Sequence, residues 1–173
     1  MSLQVRDDES AQRQTVDEVR AIGTAMMAWL TDQTSAGAAG QRQRPGPERK
    51  VGTVDMGWLN DGAEQGFEPM EPSLKSRDLA DYSEISFADL KATLVPLYAP
   101  RLPELDGWGH PYQFFMDRTL PFGEKVFCVR SPGRDGRFSG LLYSAGPFDS
   151  ESFDEDIVWV DGYFVRWPEE MNG

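Results

Sequence analysis

Asp156-Ile157-Val158-Trp159-Val160-Asp161-Gly162-Tyr163-Phe164-Val165-Arg166-Trp167 is the stretch that decides the fold. Two apolar runs, Asp156 to Val160 and Tyr163 to Trp167, flank a single Asp-Gly pair. Both residues of a two-residue hairpin turn need positive φ, which glycine adopts freely and aspartate tolerates, so the pair predicts a tight antiparallel hairpin. Upstream, Lys125 to Arg130 and Tyr112 to Met116 read as two further strands. Residues 111–168 are therefore expected to form an antiparallel sheet of three to four strands.

The sheet needs a partner for its apolar face, and the N-terminal part of the chain supplies one. Val16, Val19, Gly23, Met26 and Leu30 recur at three- and four-residue steps, with Ile22 and Trp29 widening the stripe and Arg13, Asp17, Arg20 and Thr24 opposite. That period predicts a helix over 10–34 after a polar tail at 1–9, ended by the Gly/Ala run from Ser35 to Gly40. Residues 35–84 read as a long variable loop. It is basic around Pro45-Gly46-Pro47, and Val51 to Leu59 offers a short strand or turn. Ser86 with Asp89 three positions on is a capping-box variant, and Leu90, Leu94 and Val95 give a short helix within 85–98 its apolar side. The expected class is α+β in a single domain: a long helix packed on a C-terminal antiparallel sheet.

Charge and composition exclude several functions. The formal net charge is −12, and such a surface repels phosphate backbones, so no nucleic-acid partner is expected. From Phe138 to the end eight acids face one base, Arg166. No run of about 18 apolar residues is present to span a bilayer. One cysteine, Cys128, and one histidine, His110, cannot build a structural zinc site. His110 sits between a glycine and a proline inside a turn, a poor position for a general base. Gly133 and Gly136 precede no helix, so no phosphate loop is expected.

Three stretches, in order, resemble the major pseudopilin family of type II secretion. They are the helix Arg13 to Ala25, the turn Leu102-Pro103-Glu104-Leu105-Asp106-Gly107-Trp108-Gly109-His110-Pro111-Tyr112-Gln113-Phe114, and Ser131-Pro132-Gly133-Arg134-Asp135-Gly136 with Asp154 to Trp159. Together they cover 38 of the 173 residues, about a fifth of the chain. The resemblance implies a pilin-like fold and a structural role without catalysis: a subunit that assembles with its own copies and other pseudopilins into a periplasmic filament. It also implies contact with inner-membrane components of the secretion system. The family's peptidase site and apolar half-helix of about twenty residues are absent here. A trimmed ectodomain is the expectation, joined to the inner membrane only through a segment outside this sequence, with Met1-Ser2-Leu3 as a cloning remnant. A naturally soluble relative that captures a peptide or glycan is the alternative.

Carboxylates carry the remaining chemistry. Asp135, Asp154 and Asp156 converge if the loop between them folds back, and hard oxygen ligands suit Ca2+. By resemblance the side chain of Ser131 and the carbonyl of Pro132 complete the expected set. The loop from Phe138 to Phe153 lacks the family's glycine-rich run. The same acids also admit a bland reading as a solvated face, and a remote one as a glycosidase pair. Trp108 is expected to be a buried anchor where the second helix meets the sheet, and Cys128 a small core residue within a strand.

Overall fold

A computed structural model describes residues 3–42, 76–117 and 126–169, with side chains in the first helix described over 6–33. The loop predicted over 35–84 lies mostly outside these residues, as do the basic Pro-Gly-Pro stretch and Val51 to Leu59.

The chain is α+β. Helix α1 (Leu3–Arg42) is followed by β1 (Arg77–Asp78), a 3-10 turn (Leu79–Asp81), β2 (Ser83–Ile85) and α2 (Phe87–Leu94). Strands β3 (Gln113–Met116), β4 (Phe127–Ser131), β5 (Leu142–Tyr143), β6 (Gly146–Phe148), β7 (Ile157–Val160) and β8 (Tyr163–Pro168) complete it. The main sheet has six strands in the order β2-β3-β4-β7-β8-β6, and β1 pairs separately with β5. Every pair is antiparallel except β6 with β8, which is parallel.

This corrects the expected count of three to four strands, all antiparallel. The sheet gains β2 from the segment read as variable loop and β6 from the segment read as loop between Phe138 and Phe153. Both are three residues long and sit at the sheet's edges, and β6 contains Pro147. Proline is tolerated at an edge because no ladder hydrogen bond is required there. Strands this short give no countable alternation, which is why the pattern did not reveal them.

The central hairpin forms as expected. Val160 pairs with Tyr163 across Asp161 and Gly162, whose φ angles are 50° and 112°. A bulge between Val158 and Trp159 shifts the register farther along. Strands β4 and β7 are buried along their whole length, because both faces of the sheet are covered.

On the front face α1 lies across β4 and β7. Val16, Val19, Ile22, Met26 and Leu30 meet Phe114, Phe127, Val129, Ile157 and Trp159 in one apolar cluster. Gly23 is where the helix comes closest: a Cβ there would lie 2.6 Å from the Trp159 indole. The helix starts before the predicted residue 10 and runs through the Gly/Ala run to Arg42. Alanine is the best helix former, and Ala36, Ala38 and Ala39 alternate with the glycines there. Ser86 caps α2 as expected, its hydroxyl accepting from the Asp89 amide.

The back face is covered differently. Leu79, Tyr82, Phe115, Cys128, Tyr143, Val158, Val160 and Val165 form a smaller cluster beneath the β1–β5 pair and the 3-10 turn. Cys128 is a fully buried member, where burial strongly raises its thiol pKa. A neutral packing role follows. No helix among the described residues is long and apolar enough to cross a membrane.

Candidate functional site

The turn from Asp106 to His110 is a joint between α1 and the loop that leaves β4. Asp106 is buried. Its Oδ1 accepts from the amides of Trp108 (3.0 Å) and His110 (2.9 Å), the self-bonding geometry that makes aspartate a turn former. Its Oδ2 accepts from the Ser131 hydroxyl at 2.6 Å, and Ser131 Oγ in turn accepts from the Gly133 amide at 3.1 Å. On the other side the Gly107 amide donates to Thr15 Oγ1 at 2.9 Å. A Cβ at Gly107 would stand 2.2 Å from the Ala11 carbonyl oxygen, so only glycine allows this approach to the helix.

Trp108 is half-buried beside the start of α1, its indole N–H donating to Asp8 at 3.3 Å. It packs against the front cluster, but its polar tip is held by α1. The expected deep anchor at the second helix is thus a seam residue at the first. His110 places Nε2 3.1 Å from the Arg134 carbonyl and fits its ring against Gly136. Its contacts hold the two turns together.

Beyond β4 the chain reverses at Gly133 (φ 71°), and the Arg134 amide donates to the Phe153 carbonyl at 2.8 Å. The Arg134 guanidinium grips Asp154 with both prongs, Nε to Oδ1 at 2.8 Å and Nη2 to Oδ2 at 2.9 Å. Its Nη1 reaches Asp8 of α1 at 3.3 Å, and the group lies 5.6 Å from the Phe153 ring centre. The hydrogen bond to Arg134 holds the Asp154 carboxyl below its ordinary value, and the same bond raises the Arg134 pKa.

A second arginine serves the far end of the loop. Arg130 is buried, 4.1 Å over the Phe138 ring. It donates from Nε (3.0 Å) and Nη2 (2.5 Å) to Gln113 Oε1, and from Nη1 to the Tyr143 hydroxyl (2.6 Å) and the Gly140 carbonyl. The Tyr143 hydroxyl donates in turn to Asp156 Oδ2 at 2.5 Å, where the Ser139 amide also donates at 2.9 Å. Asp156 is 2% exposed, and its Oδ1 is buried with no hydrogen-bond partner. Burial pushes the Asp156 carboxyl above its ordinary value, and the bonds from Tyr143 and Ser139 pull less strongly the other way.

The expected calcium ligands can now be placed. Ser131 and Pro132 are buried at the end of β4, and the Ser131 hydroxyl is committed to Asp106. Asp135 is exposed, with Oδ1 capping the Arg137 amide at 2.9 Å. Asp154 is exposed and held by Arg134, and Asp156 is buried against Tyr143. The loop does fold back, bringing Arg134 and Phe153 together. Among the described residues, however, no three His, Cys, Asp or Glu side chains gather where they could hold one metal ion. A calcium shell needs about six to eight converging oxygens, and the donors here do not fit one.

Arg130, Arg134, Tyr143 and Asp8 carry this site, and sequence reasoning named none of them for it. Asp154 lies 20 residues from Arg134 and Asp8 lies 126 away, so no local spacing could have signalled the pairing. An open groove of about 790 Å³ runs elsewhere, between the Gln14–Ile22 side of α1 and the extended Tyr98–Pro103 segment. No protein-family model, curated protein or solved structure matches the chain.

Proposed function

We propose that the chain is a non-catalytic, pilin-like structural subunit of a type II secretion pseudopilus, acting in the bacterial periplasm. The observation that carries the reading is the relation of helix to sheet. Helix α1 runs for 40 residues, about 60 Å at 1.5 Å per residue, and among its described side chains, those of residues 6–33, the buried ones lie between Ala11 and Leu30. A globular domain needs no helix of that length for its own core. A filament subunit does, because helices that outrun their sheets can pack against one another along an axis while the sheets form the outer wall. The Asp106–His110 joint fits the same role. It fastens the sheet's long loop to the first turns of α1 by backbone and side-chain bonds, so load on the helix passes into the sheet.

The gene product, expressed in its own cells and cross-linked in the cell envelope, is expected to give a ladder of homo-oligomers and to shear off as short filaments visible by negative-stain microscopy. A product that stays monomeric under cross-linking and free in solution overturns the reading. The groove beside Tyr98–Pro103 favours a second reading, a module that holds an extended peptide or glycan; a soluble monomer that retains such a ligand on an affinity column is its signature.

A further inference from the structure

We propose that two arginines of this chain, Arg134 above all, take the place of a divalent cation in holding the loop between Ser131 and Asp156. The inference comes from the geometry of the loop and stands whether or not the chain is a filament subunit.

A loop that returns two acids beside its own start must neutralise them. Calcium does so with a ring of converging oxygens. A guanidinium does so with a planar fork of N–H donors that matches a carboxylate edge-on. The bonds around Arg134 are of the second kind. Both oxygens of Asp154 are engaged by the fork, the third prong reaches Asp8 on α1, and the backbone amide of the same residue holds Phe153. One side chain thus joins the outgoing arm of the loop, its returning arm and the helix, the three-way connection that a bridging ion would supply. A metal seated there would have to displace a full positive charge and a bidentate bond.

Asp156 is settled by the other arginine. It faces Tyr143, whose hydroxyl bridges it to Arg130, and Glu155 and Arg166, which line the adjacent pocket, are themselves paired at 2.7 Å. The Ser131 hydroxyl is already spent on Asp106. The Ser131 hydroxyl, both oxygens of Asp154 and Oδ2 of Asp156 are therefore committed to protein partners, and a guanidinium occupies the position where its charge is needed.

The test compares the full chain with Arg134→Gln and Arg134→Lys by hydrogen exchange of the loop amides and by thermal melting, each in excess chelator and in excess calcium chloride. The unaltered protein is expected to show the same melting curve and the same loop protection in both solutions, with no heat of calcium binding in calorimetry. Arg134→Gln should exchange its 133–156 amides several-fold faster in chelator while the β4 and β7 amides stay protected. Arg134→Lys should recover only part of the protection, since an ammonium cannot make the two-pronged bond. A calcium-dependent rise in the melting temperature of the unaltered protein overturns the proposal, and so does loop exchange in Arg134→Gln that matches the parent. The local exchange readout keeps the result interpretable if the variant is globally less stable.

Discussion

The two faces of the sheet are held by different physics. The front face is apolar: α1 lays a stripe of aliphatic side chains over Phe114, Phe127 and Trp159. The back face has a smaller apolar cluster rimmed by buried or half-buried polar bonds. Tyr82 donates to Asp161 at 2.7 Å, Arg77 pairs with Tyr163, and Arg130 reaches Asp156 through Tyr143. Apolar contact is non-directional and scales with area removed from water, so the front tolerates small shifts and supplies bulk stability. Hydrogen bonds between buried groups demand geometry, and a missing partner leaves a desolvation penalty. The back-face bonds fix where the loop around Tyr143 and Asp156 goes.

Breaking the front should cost most. Phe127 is fully buried under α1, its ring 6.3 Å from Trp159 in an edge-on contact. Phe127→Ala is expected to lose about 3–5 kcal/mol in urea denaturation, the range for deleting a buried aromatic. A loss below about 1 kcal/mol would show that the helix–sheet core is not the main source of stability.

The back face should yield less, and through a single atom. Tyr143→Phe keeps the ring and removes the hydroxyl between Arg130 and Asp156. About 1–3 kcal/mol is expected, the cost of leaving a buried polar group without its partner. A neutral effect would mean that the relay is not formed in solution.

The smallest effect is a matter of pH. The Asp156 carboxyl is raised in the folded protein, chiefly by burial. Its contribution to stability is therefore complete below the ordinary carboxylate value and is lost as pH rises through the folded-state value. Asp154 runs the other way: held low by Arg134, it contributes above its ordinary value and loses that contribution as pH falls through the folded one. In Asp156→Asn the acid-range decline with rising pH should disappear while the Asp154 contribution stays. Urea midpoints for the parent and the variant that remain parallel from about pH 3 to 7 would count against a raised Asp156.

Legibility followed range along the chain. The stripe from Val16 to Leu30 was readable because a helix repeats its face every three to four residues; Val16, Val19, Ile22, Gly23, Met26 and Leu30 are buried and Trp29 partly so. The Asp161-Gly162 turn and the Ser86 cap were readable because their chemistry lies within a few residues. Strands β2 and β6 were not, since three residues carry no period and their assignment depends on which neighbour offers a free edge. The reach of α1 to Arg42 was missed because glycine was weighed as a terminator without the alanines between. Of the candidate site, the sequence reading marked Ser131, Pro132, Asp135, Asp154 and Asp156 as a calcium set, but not that Ser131 would bond Asp106 or Asp154 pair with Arg134.

By itself, then, the sequence determined one amphipathic helix, one hairpin, one capped short helix and a surface of net charge −12. Each of these is written in residue types and spacings that act locally. The tertiary structure alone decided that six strands share the main sheet, that Gly107 docks on Ala11, and that Arg134 closes on Asp154 and Asp8. Those outcomes depend on distances between parts of the chain as much as 126 residues apart. A charge has no directional signature in sequence, and its partner is set only when packing has fixed which elements meet.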